Sequence, residues 1–235
     1  MIILRKMIAL ALLLAGCEAE HIPTYPPMPA QQATKILIDR SRSIKNISAQ
    51  GLITLQKPNG ETVRLDAAMA IQRPGNARLR AWKFGQAVFD ITLTPLGLWI
   101  VAPQQDPNLF SDKTANIMRQ WLKLMTGTFE DPALIVDDSA VRLILKQKTD
   151  DGQFITCEVD RKTLTARRFI LQDRFTLVLS RYSEFNGNVW PRKIEAISPT
   201  GRIIIDLHDV EINGDLPATA FHPPARAMKI PETQP

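Results

Sequence analysis

The side chains able to ionise, ligate or attack are few and scattered. The three histidines are His21, His208 and His222, and none stands at metal-ligand spacing from another histidine or a cysteine. There is no Gly-x-Ser-x-Gly elbow, Walker loop or His-Glu-x-x-His, the patterns that set up a nucleophile, a nucleotide or a zinc-bound water. Asp137-Asp138 is a carboxylate pair only by adjacency, since neighbours on a strand point apart; a solvated loop is expected there. Cys157 shares the parity of Ile155 and Val159, so its thiol is expected to be buried and inert. An enzyme is therefore not expected, nor a metal or cofactor. That leaves Cys17, directly after the small residues Ala15 and Gly16.

Residues 1–16 have the layout of a targeting segment. Arg5 and Lys6 make a short positive start, and Met7 to Leu14 is an apolar run shorter than the roughly 20 residues a spanning helix needs. The pocket of a signal peptidase excludes bulky side chains, which suits Ala15-Gly16. Leu14-Ala15-Gly16-Cys17 resembles the lipobox of bacterial lipoproteins. That resemblance implies cleavage before Cys17, a diacylglycerol on its thiol and a multiply acylated terminus, which anchors stably where a single chain would not. Glu18, where aspartate would signal inner-membrane retention, implies the outer membrane facing the periplasm, with the inner membrane as the other destination. The alternative is an ordinary secretory leader with a chance cysteine. With Cys17 acylated, Cys157 has no partner and no disulfide framework exists.

Of the 29 basic residues, removal of Arg5 and Lys6 leaves 27 against 24 acidic, a net of +3. So weak a bias fits a surface near anionic lipid or an acidic partner and does not call for nucleic acid. The mature chain is long enough for one domain with its own core.

The elements follow from periodicity. Pro23, Pro26, Pro27 and Pro29 stiffen a tether over residues 17–30. Ala33, Ile36, Leu37 and Ile44 recur at helical spacing. The period then becomes two. Ile47 to Leu55 and Val63 to Ile71 form one hairpin about Lys57-Pro58-Asn59-Gly60, and Leu79 to Phe84 with Ala87 to Thr94 form another about Gly85-Gln86. Leu98 to Val101 is a fifth strand. Ser111 or Asp112 can cap a helix bearing Ile117, Trp121, Leu124 and Met125, with Gly127 beyond its end. Six more strands are expected at Val141–Lys146, Phe154–Val159, Ala166–Leu171, Phe175–Tyr182, Val189–Ile197 and Arg202–Ile212. In the last, Ile203, Ile205 and Leu207 have one parity and Val210 and Ile212 the other, which a β-bulge near His208-Asp209 would reconcile. A Pro-rich segment from Pro217 is expected to lie along the domain. The fold class is α+β: a mostly antiparallel half-open β-barrel of about 11 strands with helices covering its concave face. The domain runs over residues 31–230, with a tail at 231–235.

This order resembles the lipoprotein-carrier superfamily of LolA and LolB. The resemblance rests on Ile44-Lys45-Asn46-Ile47-Ser48-Ala49-Gln50-Gly51, on Met69-Ala70-Ile71-Gln72-Arg73-Pro74 with Ala77-Arg78-Leu79-Arg80, and on Asp90-Ile91-Thr92-Leu93 with Gly97-Leu98-Trp99-Ile100-Val101-Ala102-Pro103. Phe221 with Pro223-Pro224 is similar to the family's closing strand. The likeness covers most of residues 30–230, and the presence of an anchor favours LolB, or equally another lipoprotein of the same fold, over the soluble LolA.

What the resemblance implies is an apolar cavity under a helical lid that takes up acyl chains without covalent chemistry. Leu65, Met69, Ile71, Leu79, Phe89, Ile91 and Leu93 would line it, with Trp121 and Met125 facing them; the alternative is one ordinary packed core. Arg73, before Pro74, matches an arginine that holds the lid in LolA, against the plainer reading of a solvated strand end. Asn76-Ala77 stand where LolA has an aromatic, which counts against a LolA-like handover. LolB inserts cargo with an apolar residue at the tip between its third and fourth strands, and Trp82 and Phe84 fall there, with Arg80 and Lys83 suited to anionic headgroups. The expected partners are membrane lipid through Cys17 and acylated lipoprotein or lipid cargo, handled by a monomer. The second class is a structural or sensing lipoprotein with a collapsed cavity.

Overall fold

In the computed structural model of the chain, residues 22–101, 121, 124–125, 134–148, 154–171 and 175–230 are described. Helix α1 spans Ala30–Ser43. The strands are β1 Asn46–Gln56, β2 Thr62–Gln72, β3 Asn76–Lys83, β4 Gln86–Thr94, β5 Gly97–Val101, β6 Leu134–Asp138 and β7 Arg142–Lys148. They continue as β8 Phe154–Asp160, β9 Ala166–Leu171, β10 Phe175–Phe185, β11 Asn188–Ser198, β12 Gly201–Ile212 and β13 Met228–Ile230. All belong to one antiparallel sheet in the order β13-β5-β4-β3-β2-β1-β12-β11-β10-β9-β8-β7-β6, open between β13 and β6.

The sheet is two meanders joined by the pairing of β1 with β12. That seam contains the bulge the parity change required. Gln50 lies opposite Asp209 but Gly51 opposite Leu207, so His208 is the extra residue and the apolar parity switches there. Gly51 is needed at the same place, because a Cβ on it would stand 2.1 Å from the Asp206 carbonyl oxygen.

Cross-strand partners share a face, so one buried face can be followed across the sheet. Ile100, Ile91, Leu79 and Met69 are successive partners from β5 to β2. Leu65, Ile53, Ile205, Ile194 and Leu179 continue the face from β2 to β10. All are buried, and Trp121 and Met125, both helical, join the same cluster. Ala30, Ala33 and Leu37 of α1 pack with Leu143, Leu145, Cys157, Val159 and Leu164. Pro29 stands at the N-cap of α1, where the missing N–H costs nothing.

The register also sorts the turns into two ends. The β1–β2, β3–β4 and β11–β12 turns close one, the tip end; the β2–β3, β4–β5, β8–β9 and β10–β11 turns close the other, the base end. At the base, Ser43 Oγ meets Asn188 Oδ1 at 3.0 Å, and the Lys45 N–H donates to Asn213 Oδ1 at 2.7 Å. The N-terminal segment is fixed there too: the Tyr25 N–H donates to the Lys162 carbonyl at 2.7 Å, and Arg161 donates to the Met28 carbonyl.

The expectation of about 11 strands is corrected to 13, the additions being β6 and β13. Asp137 and Asp138 close β6 rather than lying in a loop, with Asp137 3.2 Å from Arg142 and Asp138 3.2 Å from Arg161. The closing strand is Met228–Ile230 on β5, and Phe221 lies in a turn before it. Both strands are too short for alternation to register. Of the expected helical cover, the described residues bound α1 alone. The limits of the second helix, with Ser111, Asp112, Ile117 and Gly127, lie outside them, as does the lipobox.

Candidate functional site

The β3–β4 hairpin turns on Phe84 and Gly85, one residue earlier than the expected Gly85-Gln86. Both have positive φ, 51° and 76°, the pairing a two-residue type I′ turn requires. Glycine takes this conformation freely, whereas a bulky side chain there is strained by about 1–2 kcal/mol. Phe84 is 93% exposed, so no packing offsets the strain or the hydration of the ring. The Lys83 Nζ lies 5.5 Å from the centroid of that ring. Trp82 is half-buried, opposite Asp66 and Ala87 at a register shift in the ladder. The tip is thus one aromatic fully in solvent, one partly sheltered, and a lysine between them.

The nine residues singled out for the cavity come together. Leu65, Met69, Ile71, Leu79, Phe89, Ile91, Leu93, Trp121 and Met125 belong to one cluster, and none is more than 4% exposed. Trp121 Nε1 has no hydrogen-bond partner among the described residues although it is buried.

Arg73 reaches the C-terminal end of α1. It donates to the Ser41 carbonyl, to Ser41 Oγ at 3.1 Å and to the Ile44 carbonyl at 3.5 Å, and its backbone N–H donates to the Lys45 carbonyl at 2.9 Å. A cation on the last carbonyls of a helix complements its dipole. Arg73 thus ties the β2 end to α1 rather than lying free in solvent. Cys17 lies outside the described residues.

Two features were not foreseen. Asp90, 4% exposed, receives Arg78 in a two-pronged bond of 2.9 and 2.7 Å and Arg80 at 3.1 Å. The Arg78 guanidinium also donates to the Ala220 carbonyl at 3.0 Å, holding the C-terminal segment to the sheet. Beside it a cavity of about 690 Å³ lies between Ser48, Gln50, Ala68, Ala70 and Arg80 on the sheet and Leu216, Pro217 and Ala220 on the segment. This is the face opposite the apolar cluster. The sequence signal was the polar parity of Arg78, Arg80 and Asp90 on facing strands, which names a face but no partner.

Cys157 is buried as its parity implied, and burial, helped by Glu158, pushes its thiol far above the usual range. Among the described residues no three His, Cys, Asp or Glu side chains form a group able to hold a metal. None of the described helices is long and apolar enough to cross a membrane.

No family model matches the chain, and no curated protein matches it. Solved structures do. An outer membrane lipoprotein-sorting protein domain from Vibrio parahaemolyticus superposes with a TM-score of 0.58 at 12% identity, over 81% of this chain and 95% of that one. A DUF1329 family protein from Desulfovibrio piger gives 0.59 at 11% identity, over 83% and 98%. A LolA superfamily protein from Nitrosomonas europaea gives 0.58 at 12% identity, over 83% and 98%. At such identities the likeness is one of fold, and the fold is that of LolA and LolB.

Proposed function

We propose that this chain is a membrane-anchored lipoprotein that holds acyl chains or other apolar cargo against the buried face of its open sheet and helps to insert lipoproteins or lipids into the outer membrane, without catalysis. The observation that carries the reading is Phe84, an aromatic held in a strained backbone conformation with nothing packed on it. Aromatic rings favour the bilayer interface, and a lysine beside one favours anionic headgroups. The helix bearing Trp121 and Met125 serves as the lid over the concave face, and Arg73 fixes α1 to the end of β2. Each buried methylene of an acyl chain contributes roughly 0.8 kcal/mol, so displacing Trp121 and Met125 is affordable to a two-chain cargo. Acylated Cys17 keeps the domain at the membrane it serves, as a monomer.

The close packing of the nine cluster residues favours a second reading, a structural or sensing lipoprotein whose interior stays filled. Native mass spectrometry on residues 18–235 with a diacylated peptide separates the two. Saturable binding that Met69→Glu or Leu93→Glu weakens, with the circular dichroism unchanged, supports the carrier. A folded domain that takes up no acyl chain supports the filled interior.

A further inference from the structure

The cavity on the outer face of the sheet has walls of opposite charge. The register lays two rows across it. Asp209, Gln50, Ala68 and Arg80 are successive partners from β12 to β3, and Glu211, Ser48, Ala70 and Arg78 form the next row toward the base end. The bulge at His208 supplies the acidic wall: Leu207 and Val210 both pack on the apolar cluster, so the extra residue turns Asp209 and Glu211 outward. Ion pairing leaves each wall with charge to spare. Arg78 and Arg80 share the single carboxylate of Asp90, and the Arg80 side chain is still 52% exposed. Glu211 has no ion pair among the described residues, and Asp209 has the His208 imidazole alone, at 3.3 Å. Of the other acids nearby, Asp206 is held by Arg181, and Asp66 lies a row toward the tip, opposite Trp82.

Between the walls the floor is made of small and polar side chains. Ala68 and Ala70 leave room above β2, and neither the Ser48 hydroxyl nor the Gln50 amide is hydrogen-bonded to another described residue. Leu216, Pro217 and Ala220 border the space on the side away from the sheet, where Arg78 donates to the Ala220 carbonyl at 3.0 Å. We propose that this cavity binds a short peptide with free termini, about three residues long, lying across the strands with its ammonium at Asp209 and Glu211 and its carboxylate at Arg80. Three strand spacings separate the walls, about 14 Å. An extended tripeptide is at most about 10 Å long, and an ion pair of about 2.8 Å at either end closes the remaining gap. Ser48 and Gln50 then meet its peptide groups midway. A lone anion or a lone cation is the poorer fit, since it would answer one wall and be opposed by the other. The site lies on the face opposite the apolar cluster, so it stands apart from the acyl-chain reading.

The test is isothermal titration calorimetry of the full chain, held in neutral detergent, with trialanine, N-acetyl-trialanine and trialanine amide. Trialanine is expected to bind saturably, and each blocked form about tenfold more weakly or worse, because each loses one charge-assisted bond. Arg80→Gln is expected to abolish the preference over the amide while keeping the preference over the acetylated form. The doubly substituted Asp209→Asn/Glu211→Gln protein is expected to do the reverse. Arg78 still holds Asp90 in the first variant, and both acids of the second are exposed, so an unchanged thermal midpoint verifies folding. Ala68→Leu fills the floor and is expected to remove binding with both charged walls intact. No saturable binding of trialanine to the folded parent overturns the proposal. So does equal binding of all three peptides, or an affinity for trialanine that none of the variants changes. If the amide binds as tightly as trialanine and only the acid variant weakens both, the cavity takes a simple amine and the peptide is overturned.

Discussion

Phe84 and Gly51 illustrate opposite uses of a single position. Asparagine tolerates the left-handed backbone of Phe84 far better, so Phe84→Asn is expected to stabilise the domain by about 1 kcal/mol while reducing vesicle binding. A paired thermal melt and sedimentation assay measures both, and a destabilised variant would show that the ring packs on something. Gly51→Ala is expected to cost about 3 kcal/mol in denaturant unfolding, because its Cβ meets a backbone carbonyl that cannot yield without opening the seam. At Asp160, burial raises the carboxyl, but donors from Thr163 and Arg167 outweigh it and hold the group below the usual carboxylate range. A depressed folded value adds stability that is present above the unfolded value of about 3.9 and disappears as pH falls through the folded one. Asp160→Asn should therefore narrow its stability deficit against the parent as melts are taken into that acid window, and a deficit independent of pH would contradict the assignment.

Among the elements, the long strands were legible and the short ones were not. Strands such as β1 and β2 have 11 residues each, enough for alternation to mark the buried face and even to locate the bulge at His208. β6 has five residues with no fully buried position, and β13 has three, so no hydrophobic pattern could accumulate. The expected turn puts Gly85 first, as in a type II′ turn, whereas Gly85 is the second residue of a type I′ turn with phenylalanine before it. The apolar cluster was legible as a set, since all its strand members share parity; whether cargo displaces the helix residues facing it is not a property of parity. Nor could alternation show that Arg78 reaches across to Ala220. Breaking that link by Arg78→Ala leaves Asp90 buried with Arg80 alone and should cost about 3 kcal/mol, with faster hydrogen exchange in residues 216–227 as the element-level signature. Protection unchanged in that segment would mean its own turns hold it.

At the scale of the whole molecule, the two meanders meet along a single seam, β1 with β12, while the apolar face runs unbroken across it. Local contacts build each half, and the seam joins residues about 150 apart in the chain, so the halves are expected to form before the seam closes. The base end is where the N-terminal segment is fastened, by Tyr25 on Lys162, and Phe84 is at the other end. From Cys17 to Tyr25 the leash is eight residues, at most about 28 Å when taut. β3 alone is eight residues long, about 27 Å, and the β8–β9 turn is also well to one side of it across the sheet. On the proposed anchoring through Cys17, a taut leash does no more than match the length of β3, so Phe84 meets the same leaflet most readily with the strands reclined along the membrane, or with the segment from Ile22 to Pro29 released to add its length. Lengthening the leash with a Gly-Ser insert after Glu18 distinguishes the postures on the proposed reading: a reclining molecule is expected to bind vesicles as before, whereas one limited by reach is expected to bind them more tightly through Phe84.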